Sequence, residues 1–151
     1  MVLKDIPAVV GIHKAAVAEI NSRVYPQDVI KEWLAEISKE NVKNQFSKST
    51  WVVAEIEGEL VGFGQYSIGE GEVYQIDVLP RFEGKGCGRA IYEYIEDDFV
   101  EHSISRIKLN STLNAADFYK KLGFQVTGKT EFALGSGAVE MVTMEKELNF
   151  H

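Results

Sequence analysis

Apolar positions along this chain follow two different periods. Over residues 6–20 they fall at 6, 9, 10, 12, 16, 17 and 20, close to a helical repeat. Asp5 stands at the N-cap of this helix and Pro7 near its first position. A second helix is expected over residues 26–39, with Val29, Ile30, Trp33, Leu34 and Ile37 on one face, and the polar stretch 41–49 reads as a loop. The period then drops to two. Residues 50–57 form a strand, Glu57-Gly58-Glu59 a turn, and 60–68 the hairpin partner. A turn at 69–71 leads to a third strand over 72–79. The helical period returns over 89–101, with Ile91, Tyr94, Ile95 and Phe99 inward. A strand (106–111), a short helix (114–121) closed by Gly123, and strands at 124–132 and 139–148 around Gly135-Ser136-Gly137 complete the chain. Antiparallel runs plus one parallel crossover predict a single α/β domain over residues 1–151. Its mixed, mostly antiparallel sheet is covered by helices.

The densest chemistry lies where the third strand meets the following helix. Pro80 ends the strand, and Gly84, Gly86 and Gly88 alternate before the helix begins. Unpaired backbone N–H groups and the helix dipole make such a loop an anion site, and glycine lets the backbone approach closely. Lys85, Arg89 and Arg81 add positive charge. The loop fails the dinucleotide fingerprint, because Arg89 stands where the last glycine belongs. No acidic ribose reader follows about twenty residues on. It also lacks the GK[S/T] ending of a nucleoside-triphosphate loop. By residue type alone, a glycine-rich turn without a ligand stays open.

A second segment narrows the choice. VLPRFEGKGCGRAIYEYI is similar to the V-x-P-x-x-(Q/R)-x-x-G-x-G/A motif of the GNAT superfamily of acetyl-CoA-dependent N-acetyltransferases. LNAADFYKKLGF resembles that family's A-x-x-x-Y-x-x-x-G-F helix. The two stand in the family's order, and the likeness extends over nearly the whole chain. The resemblance implies a sheet whose central strands splay, with the strand of Ile76, Asp77 and Val78 parting from that at 106–111. The pantetheine arm of acetyl-CoA would pair with the backbone of 76–78, the Val78 amide facing the thioester oxygen. The loop Gly84, Lys85, Gly86, Cys87, Gly88 and Arg89 would hold the pyrophosphate, and Tyr119 would protonate the departing thiolate. Three positions depart from the family pattern. Glu83 stands where Gln or Arg is usual. Thr112 replaces an asparagine that Asn114 could substitute. The family's first strand, before the aspartate matching Asp5, is expected to be short or missing.

Acetyl transfer also needs a neutral amine, so a base must take a proton from the ammonium. On a regular strand Glu72, Tyr74, Ile76 and Val78 share a face, and Glu72 lies six residues before Val78, matching the glutamate base of some family members. A surface charge at a strand end is the plain alternative for Glu72. Asp77, on the other face, is the poorer candidate. Tyr119 could equally be a packed helix tyrosine beside Phe118, but the motif favours the acid role. Cys87 has no histidine at a motif spacing and reads as a small loop residue. Trp33 and His13 read as core.

Composition adds bounds. At 151 residues and 16.9 kDa, with 45% hydrophobic and 26% charged residues, the chain can bury a core without staples. A net charge of −7 disfavours nonspecific nucleic-acid binding and suits a cationic amine. One cysteine, no signal-peptide pattern and no membrane-length apolar run point to a cytoplasmic protein. His13, His102 and His151 are scattered, so no metal is expected. The reading is an N-acetyltransferase that moves acetyl from acetyl-CoA to a primary amine of a small molecule by direct attack. A protein or peptide amine as acceptor, and a non-catalytic acyl-CoA sensor, are the alternatives. The final strands offer edges for a homodimer.

Overall fold

A computed structural model describes residues 1–135 and 137–148; Ser136 of the predicted last turn and His151 lie outside the described residues. Helices α1 (Ile6–Glu19), α2 (Gln27–Glu36) and α3 (Lys39–Phe46) come first. Strands β1 (Thr50–Ile56), β2 (Glu59–Ser67) and β3 (Glu72–Val78) follow as a meander. Then come α4 (Cys87–Glu101), β4 (Arg106–Thr112), α5 (Ala116–Lys121), β5 (Gln125–Leu134) and β6 (Gly137–Glu147). The six strands lie in the order β1-β2-β3-β4-β6-β5, antiparallel except for β3 beside β4. The mixed α/β domain is as expected. Among the described residues no strand precedes β1, and residues 3–5 form a 3₁₀ turn.

Each face of the sheet has its own core. On one face α1, α2 and α3 pack Val9, Ile12, Val17 and Ile30 onto Trp51 and Phe63. On the other, α4 packs Ile91, Tyr92, Ile95 and Phe99 onto Tyr66, Val73, Ile107 and Leu109. Each such side chain contributes about 1.5–3 kcal/mol by leaving water. The α4 helix sits close because β2 presents Gly62 and Gly64 to it. A Cβ at Gly64 would lie 2.9 Å from both Ile91 Cγ2 and Ile95 Cδ1. Gly64→Val should therefore destabilise the fold by about 1–3 kcal/mol or more, read as a lower urea midpoint at unchanged slope.

Three expectations change. The polar stretch read as a loop is largely helix α3, because Ser38 caps it by accepting from the Asn41 amide at 3.1 Å and because Val42 packs into the core. Tyr94 is exposed and Tyr92 is buried. At 100° per residue the stripe through Ile91, Ile95 and Phe99 passes over position 92 and leaves 94 well to one side. Asp5 occupies the N-cap of α1, yet its carboxylate accepts from the Val2 amide at 2.9 Å instead of capping the helix.

The fourth change matters most for the site. In the β2–β3 ladder Tyr66 pairs with Val73 but Gln65 pairs with Gln75, so Tyr74 is an extra residue, a β-bulge. The bulge breaks the two-residue alternation of β3. Val73, Ile76 and Val78 all face α4, while Gln75 and Asp77 face α1 opposite Gln65 and Phe63. Glu72, adjacent to Val73, is thereby on the α1 side with Asp77 and not on the face of Ile76 and Val78.

Candidate active site

The site begins where two neighbouring strands separate. β3 and β4 pair only at Glu72↔Lys108 and Val73↔Leu109. Beyond that point β3 keeps its β2 partner and β4 its β6 partner, so the edges they turn toward each other carry unpaired backbone groups. Such a slot can take an extended amide chain as an added strand. It opens into a cleft of about 1280 Å³, whose lining includes Ile76, Asp77, Val78, Asn110, Thr112 and Tyr119.

The glycine loop closes one end. Gly84 and Gly86 have φ of 74° and 87°, the left-handed region, and Gly86 is the N-cap of α4. That helix starts at Cys87, two residues earlier than expected, so the amides of Cys87, Gly88 and Arg89 have no intrahelical acceptor. Their convergence with the helix dipole suits a pyrophosphate. Of the nearby cations, Arg89 pairs with Glu93 at 2.9 Å and Arg81 with Glu59. Lys85 touches only the Phe82 ring, 5.8 Å from its centroid, and among the described residues it has no carboxylate partner. A Cβ at Gly86 meets no atom within 4 Å, so only the backbone resists substitution. Gly86→Ala should cost about 1–2 kcal/mol in the loop conformation. A raised KM for acetyl-CoA would register that loss.

Glu83, the departure in the loop motif, has a partner that lies 60 residues away. Arg23, in the turn after α1, donates to both of its carboxylate oxygens at 2.9 and 3.2 Å. The same connection reaches the other lip of the cleft. Asn21 accepts from Asn114 Nδ2 at 3.1 Å, and the Tyr25 hydroxyl accepts from the Leu113 amide at 3.0 Å and donates to the Glu140 carbonyl. The side-chain oxygen of Asn114, Oδ1, is buried and has no hydrogen-bond partner among the described residues. A ligand N–H would satisfy it. No local motif marks Arg23 and Tyr25, since both make their contacts far away in sequence.

Tyr119 is buried, its ring held edge-on by Phe118 at 5.1 Å and Phe124 at 5.7 Å. Burial, and then the Asp77 carboxylate, push its phenol above the ordinary value of 10.0, so it stays protonated at neutral pH. Asp77 itself lies near His13, whose Nε2 is 3.9 Å from Asp77 Oδ2, and His13 rests edge-on against Phe63. Burial raises the Asp77 carboxyl above 3.8, while His13 works in the opposite direction. Asp77, His13 and Tyr119 all line the cleft. Glu72 also lines the cleft but sits at its closed end, 3.8 Å from Lys108. Cys87 is half-buried at the start of α4.

A carboxyl raised in the folded state binds its proton more tightly there than when unfolded. Its ionisation therefore takes stability away as pH rises above 3.8. Asp77→Asn should melt at a higher temperature than the parent at pH 7. The gap should shrink toward pH 4, checked by thermal melts at both values.

Comparison with known proteins shows the family and the fold. A family profile described as an acetyltransferase (GNAT) domain matches residues 21–148. The chain belongs to the GNAT acetyltransferase family. Solved structures share its fold. An N-acetyltransferase from Rhodopseudomonas palustris superposes with a TM-score of 0.92 at 19% identity, covering 98% of this chain and 92% of that one. The PaiA N-acetyltransferase of Thermoplasma acidophilum, solved with coenzyme A, scores 0.79 at 20% identity over 98% and 96%. A ribosomal-protein-alanine N-acetyltransferase from Brucella melitensis scores 0.66 at 20% identity over 98% and 97%. As a GNAT-type acyltransferase this protein uses acetyl-CoA as co-substrate. The residues of this GNAT domain fit that molecule: the slot would accept its amide chain and the loop its phosphates. Among the described residues no cluster of three or more His, Cys, Asp or Glu could hold a metal ion. Among the described residues no helix is long and apolar enough to cross a membrane.

Proposed function

We propose that this GNAT protein acetylates the primary amine of a small cationic molecule in the cytoplasm, by direct attack within a ternary complex. The observation that carries the reading is the parting of β3 from β4 after Val73 and Leu109, with the glycine loop at one end. Gly84 to Arg89, with the Lys85 ammonium, would hold the pyrophosphate. The backbone of Ile76, Asp77 and Val78 would pair with the pantetheine arm, and Asn114 Oδ1 would accept from an N–H of the same ligand. Tyr119 would give its phenolic proton to the thiolate as the carbon–sulfur bond breaks.

The cleft lining includes the carboxylates Glu36, Glu72 and Asp77 and the aromatic side chains Trp33 and Phe132. Carboxylates beside aromatic faces attract an alkylammonium electrostatically and through its CH₂ groups. Either Glu72 or Asp77 has the chemistry to remove the ammonium proton. A protein amino terminus is the second reading, favoured by the overall likeness to the Brucella enzyme, which by name acts on a ribosomal protein. The sensor reading loses support, because Arg23 neutralises the carboxylate beside the pyrophosphate loop. The test is a thiol-release assay with acetyl-CoA over a panel of diamines, amino sugars and amino-terminal peptides. Turnover with small diamines and not with peptides is expected. Coenzyme binding without turnover on any member would reject the enzyme reading.

A further inference from the structure

Family likeness points to Glu72 as the base, but the structure sets Glu72 where β3 still pairs with β4. Resting on the acetyl-transfer reading above, we infer that Asp77, held by His13, takes the proton from the acceptor ammonium. The acid and the base of an acyl transfer must flank one carbon. Asp77 and Tyr119, the candidate acid, both line the cleft, and Asp77 lies on the part of β3 that has parted from β4. Glu72 stands five residues back along β3, roughly 15 Å of strand, where β3 still pairs with β4 and Lys108 lies 3.8 Å away.

Asp77 faces α1, opposite Phe63 in the ladder, and α1 supplies the second half of the device. His13 and Asp77 are 18% and 17% exposed, so the pair is shielded yet reachable from the cleft, which both residues line. Phe63, directly across the ladder from Asp77, supports the imidazole edge-on at 6.0 Å. A carboxylate in this setting resists ionisation, which makes it a better proton acceptor than an exposed one.

The protons balance as follows. Asp77 takes one proton from the ammonium, and the free amine nitrogen bonds to the thioester carbonyl carbon. The carbon–sulfur bond breaks and the thiolate takes the phenolic proton of Tyr119. The new amide nitrogen returns its surplus proton to the tyrosinate, and Asp77 passes its own through His13 to water. One acetyl group moves and one proton is released.

The groups that face Asp77 are His13 from α1 and Tyr119 from α5, with Tyr92 of α4 coupled in turn to Tyr119. His13 is a positioning residue. Its positive form favours the Asp77 carboxylate, so His13→Ala should move the acidic limb of kcat/KM to higher pH.

The experiment measures kcat, and kcat/KM against pH, for the parent, Asp77→Asn, His13→Ala and Glu72→Gln, using whichever panel amine the parent acetylates. Stabilisation by acetyl-CoA in a thermal melt reports folding and coenzyme binding for each variant. Expected is a fall of about 10²–10⁴-fold in kcat for Asp77→Asn with acetyl-CoA stabilisation intact. Glu72→Gln should lose less than Asp77→Asn. Asp77→Asn activity within about threefold of the parent, or a larger loss in Glu72→Gln, overturns the assignment and leaves acetyl transfer standing. A parent that turns over no amine overturns both.

Discussion

Tyr119→Phe should lower kcat about 10²–10⁴-fold while leaving the KM for acetyl-CoA nearly unchanged. The substitution removes one oxygen and keeps the ring, so the edge-on packing against Phe118 and Phe124 survives. Among the described residues the hydroxyl donates no hydrogen bond, so no protein partner is orphaned. What is lost is a proton at the place where the thiolate leaves. Burial and the Asp77 charge both keep that proton on the phenol at neutral pH, so the loss should be constant from about pH 6 to 9. Steady-state kinetics with acetyl-CoA titrated separately from the amine would separate kcat from KM. An unchanged kcat in Tyr119→Phe would remove the tyrosine from the reaction and leave solvent to protonate the thiolate.

Phe63→Ala should destabilise the fold by about 3–5 kcal/mol, which for a chain of this length lowers Tm by about 6–20 °C. Phe63 is fully buried. It stacks on Trp51 at 5.9 Å, supports His13, and sits opposite Asp77 in the β2–β3 ladder. Truncation leaves a void between α1 and the sheet that rigid strand backbones cannot close. The same void frees the imidazole, so activity measured well below both melting temperatures should also fall. Phe63→Leu refills most of the volume and should recover most of the stability. Urea melts and kcat/KM on all three proteins would check both effects. A Phe63→Ala protein with parental activity at low temperature would show that His13 needs no support from that ring.

The two motifs were legible because each depends on neighbours in sequence. Alternating glycines after Pro80 can only make a tight loop, and Tyr119 sits on a short helix closed by Gly123, whose φ is 101°. Helix α3 was hidden, since it carries few apolar residues and depends on one serine cap and on the packing of Val42. The partner of Glu83 was hidden for a different reason. Charge complementarity between Arg23 and Glu83 leaves no trace in spacing when 60 residues separate them.

By itself the amino-acid order determined the periods of the elements, the phosphate-type loop and the candidate acid, all products of local backbone chemistry. Only the tertiary structure decided which face of β3 each carboxylate takes. A single extra residue at Tyr74, forced by the register of β2 against β3, reverses the faces of everything upstream of it on β3. It sets Glu72 on the side of α1 but at the closed end, and leaves Asp77 beside His13 in the cleft. Strand register is a property of two segments at once, and neither segment alone encodes it.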